Sequence, residues 1–580
     1  MRRMARSPVH SGLQKRMTIV FLFFLLAFAV LVGRLFMLQI VRHREYEALA
    51  EKQHTAVRET APERGRIFAK DKRGELIPLA LNRAAHTLVV APKHVSNPVE
   101  VAAFLKELLG LDEEAILKKL ENKDDPYEIV ARNLNDEEVR VFENDVPVGI
   151  FLEKETQRVY PHGTLGAHAI GFVSKETSRE EGRYGLERFY EKDLAATPGF
   201  LEGIDDSSGT ALLLALGKRI IKPPGEGSRV VVTLDFNIQR ETEAALKAVQ
   251  EKWGAASGAA LVLEPKTGRI LALAAVPTFD PNAFSKEKDF SVFLNPLVES
   301  RYELGSVIKP ITMAAGIEEK VVTPESTYRD TGEIRIGSYT IKNFDEKAYG
   351  VQTMTQVLEK SLNTGAVHVA RLLGQERHFS YLTQFGFGSK TGVDLPGEVS
   401  GNVSNLSRGR DIDYMTASFG QGIAVTPLGL ASAIGALANG GVLMKPYITE
   451  KIIDDSGVEI RYVPKEIRRI VSPETAESLS KMLVGAVRTG FENRAGVKGY
   501  FVAGKTGTAQ IPRRDGKGYD TDRVIHSFVG YAPAFDPRFL ILLQLNEPKG
   551  NRFAANTLTP AFHDLAEFIL NYYEVPPDEK

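Results

Sequence analysis

The chain has 580 residues, enough for more than one domain at a usual ~100–200 residues each; its 43% hydrophobic and 25% charged residues are an ordinary globular composition. A formal net charge of −1 leaves no basic excess to neutralise phosphates, which argues against a nucleic-acid partner. With no cysteine there can be no thiol catalysis, disulfide or cysteine-held metal, though extracytoplasmic and cytosolic proteins alike can lack cysteine.

The N-terminus is more decisive. Met17 to Gly33 carries no charge, and after Arg34 the apolar character resumes from Leu35 to Val41. Together these suffice for one bilayer crossing, which needs ~20 apolar residues. Large apolar residues on every face favour a span over a buried core helix. A cleaved signal peptide is the alternative, but bulky Leu35, Phe36 and Met37 stand where small residues are needed. Arg2, Arg3, Arg6, Lys15 and Arg16 precede the span with no acid between them, whereas Arg42 and Arg44 are mixed with Glu45, Glu47 and Glu51. The basic flank stays cytoplasmic. The expected layout is a cytoplasmic tail (1–16), a single uncleaved membrane anchor (17–41) and an extracytoplasmic remainder. Arg34 either snorkels to the outer head groups or meets a polytopic membrane partner.

Residues 42–60 read as a helix continuing the anchor. From Arg64 to Asn82 the pattern is short and extended, with a turn at Asp71 to Gly74. Phe104 to Leu120 is a charged amphipathic helical stretch broken at Gly110-Leu111-Asp112. The front half is an elongated mixed module with no cluster of catalytic residue types. A boundary falls near Lys222-Pro223-Pro224-Gly225-Glu226-Gly227, a run of breakers. The strand Arg229–Thr233 follows, then a helix from about Asn237 to Trp253 with Ile238, Leu246, Val249 and Trp253 on one face. Ala259–Leu263 and Ile270–Ala274 are apolar strands joined by the turn Pro265-Lys266-Thr267-Gly268. Phe528–Tyr531 and Phe539–Leu545 are two more strands. Thr559 as cap and Pro560 open a last helix that packs through Phe562, Leu565, Phe568 and Ile569. Strands at both ends of a helical middle predict an α+β unit, one antiparallel sheet flanked by helices.

Ser306 and Lys309 form S-x-x-K, spaced to share one helix face and hydrogen-bond. A serine hydroxyl is a poor nucleophile until a base takes its proton, and a lysine can serve if burial and a nearby positive charge lower its pKa. Gly305 permits a tight turn before Ser306, and Pro310 sits in the first helical turn, where proline disrupts least. Ser361-Leu362-Asn363 is S-x-N: a second hydroxyl to relay a proton and an amide to hold a peptide group. Lys505-Thr506-Gly507-Thr508 is K-T-G-T, whose lysine and hydroxyls can bind a carboxylate while Gly507 lets a substrate backbone approach. Decoys exist at Ser285/Lys288, Ser478/Lys481, Ser400-Gly401-Asn402, Lys266 and Lys390. These are expected to be surface pairs or structural turns. Order and spacing single out the working set, with Ser361 55 residues after Ser306 and Lys505 144 after Ser361.

With these motifs the chain resembles a class B penicillin-binding protein over nearly its whole length. Arg64-Gly65-Arg66-Ile67 resembles the start of that class's pedestal domain. Tyr160-Pro161 to Gly171-Phe172 and Tyr184-Gly185-Leu186-Glu187 resemble its later segments. Phe419-Gly420-Gln421-Gly422 with Thr426-Pro427 resembles the catalytic-domain pattern between the second and third motifs. One departure is Leu304, where the family usually has proline before Gly-Ser.

The resemblance implies a dimerisation-like pedestal at 42–225 and a transpeptidase domain of serine β-lactamase-like fold at 226–580. It further implies a substrate ending in D-Ala-D-Ala. Ser306 would be the nucleophile, Lys309 the base and Ser361 the relay, with the Ser306 and Thr508 N–H groups as oxyanion hole. Lys505, Thr506 and Thr508 would hold the terminal carboxylate and Asn363 the stem-peptide amide. No metal or cofactor is called for, and β-lactams would imitate the donor. Asn363 favours the division-type (FtsI-like) branch over the elongation type. Either branch implies a polytopic membrane glycosyltransferase as partner, and the first implies other division proteins too. A β-lactamase, a β-lactam sensor, a D,D-carboxypeptidase and a catalytically dead division scaffold are the rivals.

Overall fold

The computed structural model describes residues 9–43, 55–60, 62–123, 128–134, 136–142, 146–175, 180–204, 219–222, 225–513 and 518–579. Helix α1 spans Val9–Phe36, and a π-helical turn, Met37–Val41, extends it. The stretch Arg16–Val41 is long and apolar enough to cross a membrane, and none of it is buried against the rest of the chain. The expected helix over 42–60 is corrected where it can be seen. Thr55–Thr60 is a strand, paired antiparallel with Gly199–Ile204, because Thr55, Val57 and Thr60 suit extended backbone and a partner supplies the ladder. Residues 44–54 of that expectation, the basic residues Arg2, Arg3 and Arg6, and Pro223-Pro224 at the breaker run lie outside the described residues.

The pedestal follows the expected pattern. Ile67–Lys70 turns at 71–74 into the long strand Leu76–Val90, and the amphipathic stretch is two helices, Pro98–Leu109 and Glu113–Leu120. Gly110 at φ 65 ends the first, and Asp112 caps the second by accepting from Glu114 N. The breaker run at 222–227 does not separate two independent bodies. Arg229–Asp235 pairs parallel with Ile67–Lys70 on one side and antiparallel with Thr449–Ile453 on the other. A seven-stranded sheet therefore crosses from pedestal to C-terminal half. Buried Ile67, Ala80 and Leu186 join Val230, Leu261 and Leu542 in one apolar core.

A buried charge network fixes the pedestal head. Arg64 Nε donates to Glu187 Oε2 at 2.7 Å and Arg158 Nε donates to Glu187 Oε1 at 2.8 Å. Tyr160 and Glu191 complete the set. Burial pushes the Glu187 carboxyl up, but Arg158 and Arg64 outweigh it, and its pKa ends below the usual value. Removing this carboxylate leaves the buried Arg158 guanidinium without its ionic partner and Arg64 with Glu191 alone. Glu187→Ala is expected to cost about 3–5 kcal/mol, read by denaturant unfolding; a wild-type transition midpoint would contradict it.

In the C-terminal half, β1 (Ser257–Leu263) and β2 (Ile270–Val276) form the expected hairpin. With β3 (Ala503–Pro512), β4 (Tyr519–Ala532) and β5 (Phe539–Asn546) they make an antiparallel sheet in the order β2-β1-β5-β4-β3. Helices α2 (Phe236–Trp253) and α5 (Thr559–Tyr572) pack on one face through Ile238, Leu246, Phe562, Leu565 and Ile569. Thr559 is not the cap of α5. Leu558 holds that position, and the Thr559 hydroxyl donates back to the Ala555 carbonyl because a helical turn, Ala554–Thr557, runs straight into α5. The other face carries the helical middle, including α3 (Lys309–Glu318) and α4 (Asn363–Leu373). Strand β3 is the edge strand of this sheet.

Candidate active site

Ser306 stands on a short 3-10 turn, Gly305–Ile308, that feeds directly into α3. Gly305 makes the turn at φ 58. Two other glycines let neighbours close on it. Gly420, at φ 88, lies so near that a Cβ there would fall 2.2 Å from the Gly305 carbonyl oxygen, and Gly305 N donates to Gly420 O at 3.1 Å. A Cβ on Gly507 would meet Leu304 O and Val307 Cγ1 at 3.0 Å each. Gly507 thus also seats β3 against the turn that carries Ser306, beyond the substrate approach expected of it. Phe419-Gly420-Gln421-Gly422 was legible as a motif but not as this backbone contact.

Ser361, Lys309 and Lys505 converge from three separate segments. Lys309 Nζ donates to Ser361 O at 2.5 Å and to Ser361 Oγ at 3.3 Å, and Lys505 Nζ donates to Ser361 Oγ at 3.0 Å. Ser361 sits at φ 55, a left-handed conformation that non-glycine residues rarely adopt. That strained backbone presents both its carbonyl and its hydroxyl to the amines. The expected Ser306–Lys309 hydrogen bond does not form among the described residues, because the Lys309 amine is drawn to Ser361 instead. Asn363 opens α4, and its Nδ2 donates to Lys342 O at 2.9 Å, which leaves Oδ1 as the acceptor it can offer a peptide N–H. Thr506 and Thr508 are half-buried on the edge strand, and Thr508 Oγ1 accepts from Ala554 N at 3.3 Å. Ser306 is half-buried too, whereas Lys309 and Lys505 are each only 1% exposed.

Burial sets the charge state of both amines. Desolvation, with the positive charge of Lys505 behind it, holds Lys309 well below the usual lysine value. Desolvation also pushes Lys505 down to about 7, and its amine lies over the Phe491 ring, 5.4 Å from the centroid. A carboxylate bound beside this amine would favour its charged form.

The decoys are elsewhere. Ser285 and Lys288 are exposed, and Lys481 pairs with Glu477 on the surface of its own helix. Lys266 is bound by Asp536, Lys390 is exposed, and Asn402 accepts from Ser404 N inside its own loop.

A family model described as the penicillin binding protein transpeptidase domain matches residues 258–567, and one described as the penicillin-binding protein dimerisation domain matches residues 59–232. Stage V sporulation protein D of Bacillus subtilis is 32% identical over 573 residues, 97% of this chain and 86% of that protein. A peptidoglycan D,D-transpeptidase FtsI homolog of Mesostigma viride is 28% identical across 97% of this chain and 96% of its own length. Penicillin-binding protein 3 of Mycobacterium tuberculosis, complexed with aztreonam, superimposes with a TM-score of 0.69 at 27% identity, over 90% of this chain and 98% of that one.

Proposed function

Since the chain belongs to the penicillin-binding proteins, as a class B member with both dimerisation and transpeptidase domains, we propose that it cross-links peptidoglycan as a serine D,D-transpeptidase through Ser306. The observation that carries this reading is the convergence of Lys309 and Lys505 on Ser361, across 52 and 144 residues of sequence. The Ser306 hydroxyl attacks the carbonyl of the penultimate D-Ala, and its proton passes to neutral Lys309. Lys505 donates to Ser361 Oγ, so the Ser361 hydroxyl proton is free to reach the departing D-Ala nitrogen, with Lys309 replacing it. The acyl-enzyme then yields to an amine from a neighbouring stem peptide. The N–H groups of Ser306 and Thr508 stabilise the oxyanion. Lys505, Thr506 and Thr508 hold the terminal carboxylate, and Asn363 receives the stem-peptide amide. A β-lactam acylates the same serine and stays there.

The span 17–41 anchors the chain in the cell membrane, with the basic tail 1–16 inside and the pedestal (42–225) and transpeptidase (226–580) domains outside. Anchor and pedestal are the surfaces for a polytopic glycosyltransferase and other division proteins. We assign the septum as the site of action on Asn363 and on similarity to a protein named as an FtsI homolog. Similarity to a sporulation protein supports a second reading, the same chemistry during spore formation. Depletion that gives filaments would support the first; a defect confined to spores would support the second.

The activity test supplies a stem peptide ending in D-Ala-D-Ala together with an amine acceptor. Release of D-Ala with formation of the cross-linked product is expected. Hydrolysis alone would make the protein a D,D-carboxypeptidase, and no release at all would make it a scaffold.

A further inference from the structure

Glu303 lies three residues before Ser306, and both of its carboxylate oxygens are engaged. Gly422 N donates to Oε1 at 3.2 Å and the Tyr519 hydroxyl donates to Oε2 at 2.9 Å. Its backbone pairs antiparallel with Ala424, next to the Tyr302–Val425 pair. The 420–425 segment is therefore tied to the nucleophile's strap at both ends. Gly420 is bonded to Gly305, Ala424 is laddered to Glu303, and Glu303 grips Gly422 between them. Tyr519 opens β4, which is hydrogen-bonded along its length to the β3 strand that carries Lys505 and Thr508. One carboxylate thus bridges the nucleophile's strap, the glycine turn packed against it and the first residue of the strand behind the carboxylate-binding edge.

We propose that Glu303 is a positioning residue for acylation: it clamps the Gly420–Gly422 turn onto Gly305, and so fixes Ser306 and its backbone N–H relative to β3. The proposal rests on Ser306 being the nucleophile. Glu303 is assigned no proton transfer, since its carboxylate bonds to Gly422 and Tyr519 and, among the described residues, not to Ser306, Lys309 or Ser361. Its work is geometric, and it falls on the step in which Ser306 must reach a carbonyl while the oxyanion meets N–H groups from two elements. Glutamine can make the same two contacts, its Oε1 accepting from Gly422 N and its amide N–H donating to the Tyr519 oxygen. Alanine can make neither.

The test separates the acylation constant from the preceding binding constant for benzylpenicillin on the full chain. In Glu303→Ala the acylation constant should fall, by an amount on the order of 10²-fold for a displacement of about 1 Å, while binding is little changed. Glu303→Gln should stay within about threefold of wild type, since a retained hydrogen-bond pattern leaves the barrier nearly unaltered. Tyr519→Phe removes one of the two contacts and should slow acylation by less than the alanine variant does; it also serves if Glu303→Ala fails to fold. Wild-type acylation in Glu303→Ala or Tyr519→Phe would overturn the proposal. So would a loss confined to binding, or a glutamine variant as slow as the alanine one. Ser306→Ala run alongside keeps the two readings apart: if it still acylates, the nucleophile assignment fails whatever Glu303 does. If acylation depends on Ser306 but ignores Glu303, only the clamp fails.

Discussion

Lys309→Arg should acylate with benzylpenicillin about as poorly as Lys309→Met, each slower than wild type by roughly 10²–10⁴-fold, the usual contribution of a positioned base. Arginine keeps the positive charge but does not deprotonate in proteins, so it cannot take the Ser306 proton. In the proposed mechanism wild-type Lys309 takes it, because burial and the charge of Lys505 hold its pKa well below the ordinary ~10.4. The pH dependence follows in sign. Acidification protonates Lys309, and acylation is lost as pH falls through its depressed pKa. Between that value and the ordinary one the unfolded chain binds the extra proton, so this lysine costs stability there and returns it as pH rises. Lys309→Met should therefore not unfold the protein, and melting near the wild-type temperature would separate lost catalysis from lost structure. Lys505→Arg should keep more activity than Lys309→Arg, with weaker donor binding as the main defect, since a carboxylate partner needs a charge and not a base. Near-wild-type acylation by Lys309→Arg would remove Lys309 from the role of base.

The three motifs could be read in the sequence because residue types at fixed order are a local signal, and Ser306, Ser361 and Lys505 each sit in one. The paired strands β1 and β2, helix α2 with its Ile238–Leu246–Val249 face, and the strands β4 and β5 were legible from periodicity for the same reason. Helix α3 was not legible from periodicity. Lys309 to Gly316 is buried on all sides, so it has no polar face to set a period. The sheet shared between the two halves was also hidden, because nothing local in Arg229–Asp235 says that it lies parallel to Ile67–Lys70. The left-handed backbone at Ser361 and the Gly420–Gly305 contact are tertiary constraints, visible in sequence only as residues whose purpose is open. Redirection of the Lys309 amine from Ser306 to Ser361 follows from that backbone. The i, i+3 spacing could place the two side chains on one face but could not say which hydroxyl the amine would choose.

The Ser306→Ala variant carries the largest expected effect. Among the described residues only Ser306 combines a half-buried hydroxyl, a glycine turn packed against β3, and position three residues before a lysine that meets a second lysine on Ser361, both with lowered pKa. Ser285 is exposed, and Ser478 lies on a helix whose Lys481 is spent on Glu477. Without the Ser306 hydroxyl no covalent bond to the β-lactam can form, so the loss should be complete rather than partial. The direct measurement is covalent labelling with fluorescent penicillin of the wild-type chain and of Ser306→Ala, Ser285→Ala and Ser478→Ala, resolved on a denaturing gel. A labelled band is expected in the wild type and in the two decoy variants, and none in Ser306→Ala; a persistent band in Ser306→Ala would contradict the assignment of Ser306 as nucleophile.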